Sequence, residues 1–209
     1  MNLRNPKEYC ESLLVIRNKK QELVPLRFNE AQSNLYAVIR QQAALGKPIR
    51  IIILKGRQEG ISTVTEALMF QDTVTRPNVK TLIVAHDSGA TGNLFKMNKL
   101  FYDCLPRRMQ PMRKNSNAKE LVFENPTREP KEKAERPGLR SSIRCQTAGS
   151  GSVGRSDTLT NVHISEYAFW PKDKKDLLLG IMQTVPNDPS TMVVIESTAN
   201  GYDHFKELW

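Results

Sequence analysis

The sequence predicts an α/β fold, with a central, mostly parallel sheet flanked by helices, and three observations carry that expectation. Short, almost continuous apolar runs at Ile49 to Leu54 and Lys80 to Ala85 have the composition of strands buried on both faces. Each is followed by a segment of helical period, about Thr63 to Thr75 and Ala90 to Tyr102. Strand and helix then alternate, which requires parallel strands joined by right-handed crossovers.

The elements follow in order. A polar opening leads to a helix over Ala31 to Leu45, with apolar residues at Ala31, Leu35, Val38, Ile39 and Leu45, ended by Gly46-Lys47-Pro48. After the second helix the pattern degrades. From Pro106 to Arg140 the chain is interrupted by Pro106, Pro111, Pro126, Pro130 and Pro137, and basic residues outnumber acids. This stretch reads as a basic, Pro-rich insertion at about 106–140, either a solvated surface loop or a loop facing nucleic acid. Within it only Glu120 to Phe123 has a strand's pattern. Order returns at Ser141 to Thr147, ahead of a glycine-rich loop from Gly149 to Gly154. A strand at Asn161 to Ile164, a helix near Lys174 to Val185, a strand at Met192 to Ile195 and a helix beginning near Asp203 complete the chain.

Composition narrows the function classes. A length of 209 residues fits one ordinary domain. The formal charge of +9 favours a polyanionic partner, because phosphates attract clustered Lys and Arg. Cys10, Cys104 and Cys145 are scattered and lack a C-x-x-C spacing, which argues against a disulfide framework or a zinc knuckle and fits a reduced, intracellular setting. No apolar run approaches the roughly 20 residues that span a bilayer. No membrane partner is expected.

Chemistry concentrates first between Leu54 and the next helix, in Lys55-Gly56-Arg57-Gln58-Glu59-Gly60-Ile61-Ser62-Thr63. A loop between a parallel strand and a helix N-terminus points backbone N–H groups at one place, where the helix dipole adds positive potential. Gly60 and Ser62 align with the second glycine and the Mg²⁺-contacting hydroxyl of G-x-x-x-x-G-K-[ST]. Ile61 stands at the lysine position and Lys55 at the first glycine position. A cation for phosphate would have to come from Lys55 or Arg57, and an ordinary strand-loop-helix turn with surface charges is the competing reading.

Two later strand ends add to it. In enzymes with such loops a second buried strand ends in carboxylates, one on the metal side and one polarising the attacking water. Here Val162-His163-Ile164-Ser165-Glu166 has Ser165 on the metal side and Glu166 as the acid. A third strand runs into the small polar turn Glu196-Ser197-Thr198-Ala199-Asn200-Gly201, and polar residues at the carboxyl ends of parallel strands face the ligand crevice.

Across almost its whole length the chain resembles the large terminase subunits of tailed phages. The resemblance is carried by Arg57-Gln58-Glu59-Gly60, similar to an R-Q-x-G Walker A core whose lysine is moved to Lys55. Glu166-Tyr167-Ala168-Phe169-Trp170 resembles the Walker B segment, with its acidic pair reduced to Ser165-Glu166. Ser197-Thr198-Ala199-Asn200-Gly201, followed by Phe205 and Trp209, resembles the coupling turn. Phe28-Asn29-Glu30-Ala31-Gln32 is similar to the segment whose glutamine reads adenine, and Arg155 falls where the family places an arginine acting on a neighbouring subunit.

The resemblance implies a P-loop ATPase fold of the additional-strand, conserved-glutamate type, forming a single motor domain over residues 1–209. ATP and Mg²⁺ are its expected ligands. Gln32 and the loop Lys55, Gly56, Arg57, Gln58, Glu59, Gly60, Ile61, Ser62 and Thr63 would bind nucleotide. Glu166 would be the base, Arg57 or Arg155 would offset transition-state charge, and Ser62 and Ser165 would surround the metal. Ser197, Thr198, Asn200 and Gly201 would couple hydrolysis to movement. The implied partners are double-stranded DNA, a portal, a small terminase subunit and other copies in a ring, assembled in the host cytoplasm. The family's nuclease domain follows its motor, so no cleavage is expected from these residues. A two-lobe helicase or translocase and a nucleotide- and DNA-binding module without turnover are the alternatives.

Overall fold

The computed structural model describes residues 4–117, 119–150 and 157–209. A helix α1 (Pro6–Leu13) and a two-stranded antiparallel hairpin, β1 (Val15–Arg17) with β2 (Leu23–Pro25), precede helix α2 (Glu30–Ala44). The polar opening of the sequence therefore holds a helix. Asn5 caps it by accepting from the N–H groups of Lys7 and Glu8, Pro6 opens its first turn, and Tyr9 and Cys10 are its buried residues. So narrow an apolar face among charges gives little periodicity.

The remaining elements are β3 (Ile49–Leu54), α3 (Ile61–Thr75), β4 (Lys80–Ala85), α4 (Ser88–Cys104), β5 (Asn115–Ser116), β6 (Glu120–Glu124), α5 (Pro130–Glu135) and β7 (Gly138–Thr147). After these come β8 (Asn161–Ser165), α6 (Lys174–Met182), β9 (Met192–Ser197) and α7 (His204–Leu208). One seven-stranded sheet has the order β3-β9-β8-β4-β7-β6-β5. From β3 to β7 the neighbours are parallel, while β6 and β5 run antiparallel at one edge. β9 lies between β3 and β8 and is the additional strand of the predicted P-loop type.

Side chains alternate between two cores. Ile51, Ile83 and Val194 face a cluster that holds Val64, Phe70 and Phe101 of α3 and α4, and Leu82, Ile164 and Ile195 face a second one built with Leu178, Ile181 and Phe205. β4, β8 and β9 are covered on both faces, as interior parallel strands are, but the reading of Ile49 to Leu54 as a strand buried on both faces is corrected: β3 lies at the sheet edge, paired only with β9, and only its Ile51 is buried. Among the described residues no helix is long and apolar enough to cross a membrane.

The strand expected at Glu120 to Phe123 is present as β6, but the reading of the rest of 106–140 as loop is corrected by β5, α5 and the start of β7. β6 pairs with β7 and β5 with β6, so the segment extends the sheet. Leu121 and Phe123 alternate inward and are fully buried, and the Phe123 ring stacks on Tyr102 with centroids 5.6 Å apart. The prolines sit where a chain can use them. Pro106 precedes a 3-10 turn and Pro130 opens α5. Gly138 begins β7 at φ +77°, and a Cβ there would stand 2.8 Å from the backbone nitrogen of Asn125, so this bulged register requires glycine.

Candidate active site

Residues 55–60 leave the carboxyl end of β3 and enter α3 through Gly60, whose φ of +75° is left-handed. A Cβ there would press only on the end of the Gln32 side chain, so the reason for glycine is chiefly conformational. Among the described residues no side chain caps α3, and the N–H groups of its first turn are available to an anion. Ile61, at the position where lysine is usual, is 4% exposed and packs into the core.

The loop is braced from α2. Asn29 and Gln32 form a capping box, and each also reaches across to loop backbone. Asn29 Nδ2 donates to the Glu59 carbonyl at 3.0 Å, and Gln32 Nε2 donates to the Gly60 carbonyl at 2.8 Å. Gln32 Oε1 accepts from Asn29 N at 3.0 Å. Gln32 is thus brought to the loop, but both ends of its amide are engaged by backbone.

Lys55 stands between two carboxylates. Its Nζ is 2.6 Å from Glu196 Oε2 and 3.0 Å from Glu166 Oε1, and it also donates to Ser62 Oγ at 3.2 Å. Burial works against its charge, yet Glu196 and Glu166 outweigh that and raise its pKa. A lysine from the loop's opening thus stands beside Ser62, while α3 has Ile61 where lysine is usual.

Glu196 is completely buried at the end of β9. Its Oε1 accepts from Ser62 Oγ and Ser165 Oγ, both at 2.8 Å. Behind it, His163 Nε2 lies 3.4 Å from Oε1, an ion-pair distance without a directed hydrogen bond, and His163 Nδ1 lies 2.5 Å from Glu66 Oε1 on α3. Asn98 donates to the other Glu66 oxygen. Burial alone would lower the His163 pKa, but Glu196 and Glu66 push it above the usual imidazole range. Burial would raise that of Glu196, but His163 and Lys55 hold it below the usual carboxylate range.

Glu166 follows β8 in a left-handed conformation, φ 51°, and starts a 3-10 turn over Tyr167–Phe169. Its Oε2 accepts from the N–H and the hydroxyl of Thr198, each at 3.1 Å. The two strand ends interlock further. The Ala168 N–H donates to Ser197 Oγ at 3.1 Å, and Asn200 Nδ2 donates to the Ala168 carbonyl at 3.2 Å. Gly201 continues the turn at φ +76°.

Lys55, Arg57, Gln58, His86, Glu166, Phe169 and Thr198 line one cleft of about 370 Å³. A larger groove of about 610 Å³ between the β1–β2 hairpin and α4 takes in Thr63 with Arg17, Lys96, Lys99 and Asp103, but neither Lys55 nor Glu166. Arg57 is exposed at the cleft, and Gly56 and Glu59 are exposed on the loop. Arg155 lies outside the described residues. Sequence reasoning missed Glu196 as a site residue, and with it His163 and Glu66. The available signals were a charged residue inside the apolar helix run Val64 to Phe70, at i+4 from Ser62, and a histidine in the middle of a buried strand.

Two hydroxyls and a carboxylate meet at one point, and such an all-oxygen set suits a hard divalent cation such as Mg²⁺. The sheet order and the cradle at the end of β3 define the P-loop NTPase fold. No protein-family model matches the sequence, and no curated protein matches it. Solved structures do. The HK97 bacteriophage large terminase superimposes with a TM-score of 0.68 at 10% identity, over 94% of this chain and 37% of that one. The large terminase ATPase domain of Thermus phage P74-26 gives 0.58 at 17% identity, over 87% of this chain and 74% of that one. A point mutant of the same domain also gives 0.58, at 18% identity. At these identities the likeness is one of fold, and the chain spans little more than a third of the HK97 protein.

Proposed function

We propose that this chain is the ATPase motor domain of a viral DNA-packaging terminase, hydrolysing ATP to drive double-stranded DNA into a procapsid. The observation that supports it most is the meeting of Lys55, Ser62 and Glu166 where β3 and β8 end and α3 begins, on a fold shared with large terminase ATPase domains. On this reading the first N–H groups of α3 and the Lys55 ammonium bind phosphate, while Gln32 and Asn29 keep the loop in shape behind them. Lys55 has to leave its two carboxylates to do so. That frees Glu166 to take the proton of a water attacking the γ-phosphorus in line, as the bond to the β–γ bridging oxygen breaks and ADP departs. Ser62 and Ser165 would hold Mg²⁺, which supplies positive charge to the phosphate oxygens. Arg57 at the cleft, or Arg155 from a neighbouring copy, would offset the charge of the transition state.

Glu166 shares its carboxylate with Thr198, so a change at the γ-phosphate reaches the Ser197 to Gly201 turn directly. In that way hydrolysis would move a DNA-gripping surface. The partners would be double-stranded DNA, a portal, a small terminase subunit and further copies in a ring, in the host cytoplasm. Residues 1–209 would act as one motor unit without nuclease activity.

The test is steady-state ATP turnover of the wild type beside Glu166→Ala. Losing a general base should lower the turnover number about 100-fold or more with nucleotide affinity kept. A wild type that binds nucleotide without turning it over would point instead to a binding module.

A further inference from the structure

We infer that Glu196 supplies the metal-side carboxylate that β8 lacks, so that the divalent-cation site is built across two strands, an assignment that rests on the ATPase reading above. Ser165 and Glu196 are register partners in the parallel pair β8–β9, which puts their side chains on the same face of the sheet. Serine is too short to reach the loop hydroxyl with a negative charge. Glutamate, one strand closer to β3 and one methylene longer than aspartate, places its Oε1 2.8 Å from Ser62 Oγ while taking the Ser165 hydroxyl at the same distance. The acid has moved along the sheet, and its target has not.

Charge supports a cation there. Among the described residues the cluster holds Glu66, Glu166 and Glu196 against Lys55 and His163. Once Lys55 turns toward phosphate, Glu166 and Glu196 lose the ammonium that lies between them. A buried excess of negative charge is unstable without a counter-ion, and a divalent cation at Glu196 restores the balance. A purely structural role explains less, because apolar residues such as Val194 and Ile164 close the neighbouring core without any charge. Among the described residues Glu196 Oε2 also accepts no directed hydrogen bond despite its burial, so an oxygen is left for a ligand once Lys55 moves.

The experiment measures binding of a non-hydrolysable ATP analogue by calorimetry, with Mg²⁺ and with EDTA, to wild type, Glu196→Gln and the double variant Ser165→Asp/Glu196→Gln. Wild type should bind about tenfold or more tighter with Mg²⁺; Glu196→Gln should lose that gain while its affinity in EDTA holds. The double variant, with its acid returned to β8, should recover the gain. If Glu196→Gln keeps the full gain, or wild type shows none, the assignment is overturned and nucleotide binding stands. If wild type binds no nucleotide, the ATPase reading falls with it. Should the variants fail to fold, crystals of wild type with Mn²⁺ and the analogue decide. Anomalous density between Ser62, Ser165 and Glu196 supports the assignment, and density away from Glu196 refutes it.

Discussion

Thr198 gives Glu166 two hydrogen bonds, one from its backbone N–H and one from its hydroxyl, both 3.1 Å long. A hydrogen bond to a charged group is worth about 1.5–3 kcal/mol, so Thr198→Val should leave Glu166 poorly aimed and slow turnover about tenfold or more. Nucleotide affinity should change less than about twofold, since Thr198 does not belong to the phosphate loop. Parallel measurement of turnover number and analogue binding checks the split, and an unchanged turnover number would remove Thr198 from the coupling path.

Lys55→Ala should weaken nucleotide binding by about tenfold or more, because no other cation lies between Glu166 and Glu196 among the described residues. Arg50→Ala is the contrast. Its guanidinium donates to the carbonyls of Ile49 and Pro186 and to Thr191 Oγ1, at 2.9, 3.1 and 3.0 Å. Losing it should cost about 1–3 kcal/mol of stability and leave affinity unchanged. Equal losses of affinity would reduce Lys55 to surface charge.

Gln32 offers a direct check on base recognition. Its amide is engaged by Asn29 and Gly60, so Gln32→Leu should weaken ATP and GTP binding together by loosening the loop. A selective loss of ATP binding would mean that the amide leaves the loop to read adenine.

The edge of the sheet can be tested through Phe123, which is fully buried and stacked on Tyr102. Phe123→Ala should destabilise the domain by about 3–5 kcal/mol in urea unfolding, the cost of emptying an aromatic site in a core. A loop residue would cost almost nothing.

The proposal that Arg155 acts on a neighbouring copy predicts a concentration dependence. Such a group raises hydrolysis by roughly three to five orders of magnitude, so the isolated domain should turn over slowly until copies associate. Specific activity should rise with protein concentration, and Arg155→Ala mixed into wild type should lower it. Flat activity and an inert mixture would leave Arg57, from the same chain, as the better candidate.

Much of this was legible from one dimension. The strands at Ile49–Leu54 and Lys80–Ala85 were read with their observed bounds, because each is a short run rich in β-branched residues. Gly60, Ser62 and Glu166 stood out because loop and strand-end chemistry is local in sequence. The helix at Pro6–Leu13 and the short edge strand Asn115–Ser116 were harder, since short elements of polar and charged residues give weak periodicity.

The sequence by itself determined the sheet-and-helix order, the cradle after β3 and the acid after β8, all of which follow from near-neighbour patterning and turn chemistry. Only the tertiary structure decided which carboxylate serves which oxygen. Glu196 lies 134 positions from Ser62 and 31 from Ser165, yet accepts a hydrogen bond from each. Its apparent place in sequence was a turn after a strand. Strand order alone, with β9 inserted between β3 and β8, brings it to the metal-side position, and no periodicity along the chain encodes which strands become neighbours.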